Sequence, residues 1–395
     1  MSSPPIPASA HKALLQALDQ APAQRFTFAE FMDWVLYHPV YGYYSRGRVA
    51  IGVQGDFVTS ASLGPDFGEL LAVQFQEMWQ ILGCPSSFNL LEMGAGTGNL
   101  AYSILNFIKE NYPAFWLALD YQIIEISPGL KIQQRQTLQA FLDNVRWAHC
   151  SEIADQSLVG CCFSNELVDA FPVHRVIRHQ GQLKEIYVTA QAGQLIEIID
   201  NLSTPQLSLY FQELGIDLTA PEYPEDYCTE VNLQARSWLQ QVAPKLDRGY
   251  ILTIDYGYSA QKYYHPQRYQ GTLQCYYQQR YHADPYLNLG EQDITSHVNF
   301  TALEQWGKQC SLESLGGLPQ SLFLMNLGLG ERLANLSNSD YSLPELLQRR
   351  EQLHQLIDPV GLGKFWVLLQ GKNLEASSYS ASLRGLQNFD ILPTI

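Results

Sequence analysis

Glu92-Met93-Gly94-Ala95-Gly96-Thr97-Gly98 decides how the rest of this chain is read. The stretch follows an apolar run over 88–91 and precedes a helix-forming stretch over 100–110. A strand, a glycine turn and a helix in that order bring bare backbone and a helix N-terminus up to a nucleotide-like ligand. The spacing narrows the ligand. A dinucleotide site needs G-x-G-x-x-G, because its backbone must approach a pyrophosphate. Here an acid is followed by glycines at every second position. Glycine tolerates positive φ, so it suits a chain that turns sharply beneath a ligand.

Outward from that turn, apolar runs at 88–92, 121–125, 145–148, 158–165 and 250–255 predict strands. Helical patterns fall between them at 99–110, 130–141 and 232–243. Such alternation predicts a mostly parallel sheet with crossover helices. Before it, helices are expected over 11–18, from Thr27 (with Glu30 completing a capping box) and over 65–82. Between the fourth and fifth strands, 173–177, 184–188 and 195–199 read as short antiparallel strands. They are followed by a helix over 205–214 and a proline-rich linker over 219–226. Later come helices over 320–333 and 343–357, a last strand over 365–370, and a polar, loose tail from Ser377.

The acid-x-G-x-G-x-G spacing resembles motif I of class I S-adenosylmethionine (SAM) methyltransferases. That resemblance implies a cofactor held by Glu92, Gly94, Ala95, Gly96 and Gly98, with Glu92 near its amino group. Ligands of open parallel sheets bind beyond the carboxyl ends of the strands. Glu125 ends the second strand, where a carboxylate can accept two ribose hydroxyls, with Ile126 beside it. Glu152 and Ile153 fall where an adenine contact is expected. Asn165 joins the cofactor set. Glu166, Asp169 and Asp255 bring carboxylates to adjacent strand ends, and His174 follows as either a proton relay or a structural histidine. Gly55, Asp56, Thr59 and Ser60 precede the first strand and reach the pocket only by folding back over it. Tyr43 and Tyr44 either line a substrate channel or pack a helix end. Asp293, Thr295 and His297 form either a substrate loop or a hydrogen-bonded turn.

The 395 residues carry a formal charge of −15, which opposes binding to nucleic acid and suits a basic peptide or a cationic cofactor. The seven cysteines include no C-x-x-C pair and no metal spacing with histidine, so no metal site and a reducing compartment are expected. No segment approaches the apolar length that spans a bilayer, and residues 1–10 lack the marks of a signal or transit peptide. A cytoplasmic location is the expectation. The oligomeric state stays open, a homodimer included.

Nearly the whole chain resembles the MidA-like methyltransferases, the family of the mitochondrial complex I assembly factor that methylates an arginine. The blocks that carry the likeness are His38-Pro39 to Tyr44; Gly55 to Ser60 with Phe67-Gly68-Glu69-Leu70; Leu91 to Gly98; and Asn165-Glu166 with Asp169 to His174. They continue with Ile254 to Gly257, and with Gly271-Thr272-Leu273, Asp284-Pro285, Gly290, Asp293 to Thr295, His297-Val298 and Phe300. Family members often carry aspartate where Asn299 stands and histidine where Gln279 stands, which touches the substrate side. The resemblance implies a class I fold, Rossmann-like with a seven-stranded sheet. An N-terminal helical part (1–84) is expected before the cofactor core (85–258, with an insertion at about 173–230). Substrate-covering segments (259–372) and a tail (373–395) would follow. It also implies SAM as methyl donor, S-adenosylhomocysteine as product, and an arginine in a complex I subunit of the NuoD type as acceptor. Two other readings remain: methylation of a small molecule, and a SAM-binding assembly factor that works as a binding module.

Overall fold

The computed structural model describes residues 10–46, 59–278, 280–336, 342–375 and 383–387. They belong to two compact units, each assembled from separate stretches of chain.

The first unit draws on Ala50–Val168, Trp238–Gly257 and Leu303–Ile395. It holds a seven-stranded sheet of β1 (Phe88–Met93), β2 (Leu119–Ile124), β3 (Val145–Ala148), β4 (Leu158–Asn165), β5 (Leu246–Asp255), β6 (Glu313–Pro319) and β7 (Trp366–Lys372). The spatial order is β6-β7-β5-β4-β1-β2-β3. All neighbours are parallel except β7, which runs antiparallel to both β5 and β6. This is the Rossmann-like class I fold. β4 is buried along almost its whole length, as expected of a strand covered on both faces. Phe163 on β4 meets Phe75 of the helix Asp66–Ile81 at 4.9 Å between ring centroids, inside a core that includes Leu90, Ile123 and Leu252. Burying each such side chain contributes about 2 kcal/mol.

Register sets the position of the site. Met93 lies level with both Ile124 and Ser164, and Asn165 lies level with Ile254. The residues that follow these positions therefore collect along one edge, where the strand order reverses between β1 and β4.

The second unit draws on Met1–Val49, Asp169–Ser237 and Tyr258–Ala302. Thus the first two helices, Ala10–Gln20 and Phe28–Tyr37, group with the insertion and with residues 258–302, whereas Asp66–Ile81 belongs to the first unit. The helix Phe28–Tyr37 opens on the expected capping box: Thr27 Oγ1 accepts from Glu30 N at 3.1 Å and Glu30 Oε2 accepts from Thr27 N at 2.7 Å. An antiparallel sheet contains His174–His179, Gln182–Gln191, Gln194–Asp200 and Cys228–Val231, and the short strand Arg25–Thr27 joins it by pairing with Gln182–Gln191. A separate three-stranded sheet holds Gln274–Tyr277, Arg280–His282 and Asp293–Thr295.

Several expectations change. The helix expected over 320–333 is two helices, Gln320–Asn326 and Leu329–Asn335, because Gly328 between them adopts φ 110°. β6 was not foreseen, and the sheet gains its seventh strand there. Within the tail read as loose, Leu383 and Leu386 are buried, and Gly385 N donates to Gln74 Oε1 at 2.9 Å. Among the described residues no helix is long and apolar enough to cross a membrane.

Candidate cofactor site

The turn after β1 is shaped by its glycines. Gly94, Gly96 and Gly98 take φ values of 71°, 52° and 87°, a region that costs other L-residues about 1–2 kcal/mol each. Space is short as well. A Cβ on Gly94 would lie 2.7 Å from Leu167 Cδ1, and one on Gly98 would lie 3.3 Å from Gln134 Cα. Gly98 then caps the helix Asn99–Asn111, whose first amide groups have no partner within the helix. Ala95 is buried within the turn.

Glu92 sits on β1 just before the turn, and only 2% of it is exposed. Tyr121, its neighbour on β2, donates a hydroxyl hydrogen bond to Glu92 Oε2 at 2.7 Å. Burial pushes the Glu92 carboxyl up to about 7, with the nearby Glu125 adding to the rise and the Tyr121 bond opposing it.

Glu125 follows β2 and is also buried. Its Oε1 accepts from Ser127 N at 2.8 Å and its Oε2 accepts from Gln134 Nε2 at 2.9 Å. Burial raises its titration, and those bonds resist the rise. Two oxygens with four lone-pair sites exceed these donors and the Ile126 amide, so the carboxylate can still accept from a ligand hydroxyl. Ile126, next in the chain, presents an apolar side chain that is 65% exposed. Ser127 caps the helix Pro128–Thr137 by accepting from Leu130 N.

At the end of β4, Asn165 Nδ2 donates to Glu166 Oε1 at 3.1 Å, and Ser60 N donates to the same oxygen at 3.2 Å. Glu166 holds φ at 50°, a left-handed conformation that non-glycine residues keep only where surrounding contacts enforce it. Its amide donates to Ile254 O. Asp255 is fully buried, and its two oxygens accept from the amides of Val168 and Tyr256, each at 2.9 Å. It therefore braces the turn that carries Glu166. Thr59 and Ser60 are both buried beside the short helix Ser60–Ser62.

Other expected residues have local roles. Glu152 is exposed and caps its own short helix by accepting from His149 N, while Ile153 is buried. Gly55 and Asp56 lie outside the described residues.

The remaining expected residues belong to the second unit. Tyr44 donates to Asp293, with both carboxylate oxygens at 2.9 Å, and stacks on Tyr37. Burial and Asp293 raise the Tyr44 phenol well above its ordinary value, so it stays a neutral donor. Tyr43 packs edge-on against Tyr44. Thr295 is buried, one residue before Ser296, whose amide donates to Asp169 O. His297 stacks on Tyr258 at 5.0 Å. His174 Nδ1 lies 2.8 Å from Oε1 of the buried Glu185, whose other oxygen accepts from Ser203 N, a structural use of this histidine. Asn299 donates to Tyr210 and accepts from Ala302 N, so both ends of its amide are bonded.

The first unit's edge fits SAM. Asn165 Oδ1 and Ser164 Oγ are buried at the end of β4 without a hydrogen-bond partner among the described residues. The glycine turn is bare, Glu125 has acceptor capacity to spare, and Ile126 offers an apolar face. Sequence reading missed Tyr121, Gln134 and Trp147. Gln134 is fully buried, yet a glutamine on an amphipathic helix reads as surface. Tyr121 and Trp147 read only as strand packing.

Similarity to known proteins bears on this geometry. A family described as "Putative S-adenosyl-L-methionine-dependent methyltransferase" matches residues 70–318. A Burkholderia thailandensis protein solved with bound S-adenosyl-homocysteine is 31% identical, with 98% of each chain covered and a TM-score of 0.84. The human protein arginine methyltransferase NDUFAF7, a mitochondrial protein, is 26% identical over 391 residues, which is 92% of this chain and 84% of that one. The Drosophila melanogaster homologue is 26% identical over 375 residues, 87% and 81% of the two chains.

Proposed function

Because the chain belongs to the family of S-adenosyl-L-methionine-dependent methyltransferases, we propose that it methylates the guanidinium of an arginine in a protein substrate. The relatives named as protein arginine methyltransferases support this, since they align over most of both chains. A complex I subunit of the NuoD type is the proposed acceptor, on the strength of the motif blocks alone.

The observation that carries the proposal is the state of Glu166. Its carboxylate is held by Ser60 and Asn165 on a backbone kept at φ 50°. When bound, the cofactor supplies an electrophilic methyl group on a sulfonium. Glu92 would pair with the cofactor's ammonium, Glu125 would accept from its ribose hydroxyls, and Asn165 Oδ1 would take a further donor. Glu166 would then orient the guanidinium, so that one nitrogen faces the methyl carbon. Transfer of the methyl group would release S-adenosylhomocysteine, and the nitrogen that takes the methyl would give up one proton, which Glu166 would pass on to water. A carboxylate is a weak base toward so basic a group, so Glu166 acts chiefly through charge and alignment. Asp255 would act on Glu166 indirectly, by holding the Val168 amide two residues further along the turn.

The test is to incubate the purified protein with isotope-labelled SAM and proteins from a strain lacking it, then to map the label by mass spectrometry. Label on arginine of one protein supports the proposal. Label confined to a small metabolite, or to another residue type, refutes it.

A further inference from the structure

We propose that Gln134 is a positioning residue that couples the two halves of the cofactor site, the glycine turn and the ribose-side acid. Its Nε2 donates to Gly96 O and to Glu125 Oε2, each at 2.9 Å. Its Oε1 accepts from Trp147 Nε1 at 2.9 Å. Every strong hydrogen-bonding position that faces a partner is thus in use, and the side chain is fully buried. The amide has one workable orientation. The indole N–H can only donate, while Gly96 O and the carboxylate can only accept. Flipping the amide would set oxygen against oxygen twice and nitrogen against a donor once.

The neighbouring contacts strengthen the link. Thr137 Oγ1, on the same helix, donates to Thr97 O at 2.8 Å. Gly98 packs against the backbone of Gln134 so closely that a Cβ there would come within 3.3 Å of it. One helix, Pro128–Thr137, therefore clasps the turn at successive residues, and Gln134 extends that clasp to Glu125. The methionine end and the ribose end of the ligand are then set by a single buried amide, before any ligand arrives.

The inference rests on the cofactor reading of Gly96 and Glu125. It is tested by titrating S-adenosylhomocysteine into wild type, Gln134→Glu and Trp147→Phe between pH 6 and pH 8. Gln134→Glu keeps the size but turns both donations into repulsions once ionised. We expect its affinity at pH 8 to fall by about tenfold or more. We also expect its deficit relative to wild type at the same pH to shrink at pH 6, where the introduced carboxyl, once protonated, regains one donor. Trp147→Phe, which frees only the carbonyl end, should lose less and show no such recovery. A loss of equal size at every pH marks a packing defect and overturns the coupling role, as does wild-type affinity in both variants. If the wild-type protein itself binds no S-adenosylhomocysteine, the site assignment falls and this inference with it.

Discussion

Tyr121 donates its hydroxyl to Glu92 across two adjacent parallel strands at 2.7 Å, and both side chains are sealed from solvent. This places a partly protonated carboxyl directly before the glycine turn. Burial holds Glu92 near 7, well above the ordinary 4.5. The sign follows from linkage. A carboxyl raised on folding favours the folded state at low pH, and that contribution fades as pH climbs from about 4.5 through about 7. A ligand ammonium prefers the ionised form and reverses the trend. We expect the affinity for SAM to rise between pH 6 and pH 8, by up to about tenfold per pH unit below the titration point. Calorimetric titration across that range checks this. In Glu92→Gln the dependence should flatten and binding should weaken.

Tyr121→Phe removes the hydrogen bond that favours ionised Glu92. A hydrogen bond to a charged group is worth about 1.5–3 kcal/mol. Affinity at pH 7 should fall by about tenfold, and the pH at which binding reaches its plateau should move upward. An unchanged pH profile in this variant rules out Tyr121 as the residue that tunes Glu92.

Glu166→Gln should leave S-adenosylhomocysteine binding close to wild type and slow methyl transfer by roughly two orders of magnitude. Asp255→Asn loses an acceptor for one of two backbone amides. It should therefore reduce transfer while also lowering the thermal midpoint, since it acts through the turn. Single-turnover assays beside thermal melts separate the two effects. Equal, undiminished turnover in both variants removes Glu166 from the chemistry.

Tyr44→Phe takes one donor from the carboxylate of Asp293, which is 1% exposed and keeps the Ile294 amide on Oδ1. The cost should be about 1–3 kcal/mol in the second unit. Urea denaturation followed by tryptophan fluorescence reads it out. A midpoint matching wild type shows that Asp293 finds another donor.

The cofactor half of the fold is legible because its signals are local. The run before Gly94, the alternation that follows and the acid at Glu125 all lie within one β-α-β stretch, and β3 and β4 begin and end where the apolar pattern does. What escaped depends on distance along the chain or on composition that misleads. Arg25–Thr27 is a strand only because Tyr187 to Thr189 lies beside it. β6, in Glu-Ser-Leu-Gly-Gly-Leu-Pro, carries the glycines of a turn and is held as a strand by β7. Asp255 reads as an acid at the site mouth, yet it spends both oxygens on backbone amides, which residue type alone does not reveal. Gln134 is the sharpest case, a polar residue whose partners Gly96, Glu125 and Trp147 meet only after folding.

The central claim is that the left-handed turn at Gly94, Gly96 and Gly98 holds the methyl donor. It is tested most directly by the thermal midpoint with and without saturating S-adenosylhomocysteine, in wild type and in Gly96→Val. Ligand that binds only the folded state should raise the wild-type midpoint by several degrees and leave that of Gly96→Val where it was. An equal rise in both proteins would contradict the account, because the ligand would then be bound elsewhere.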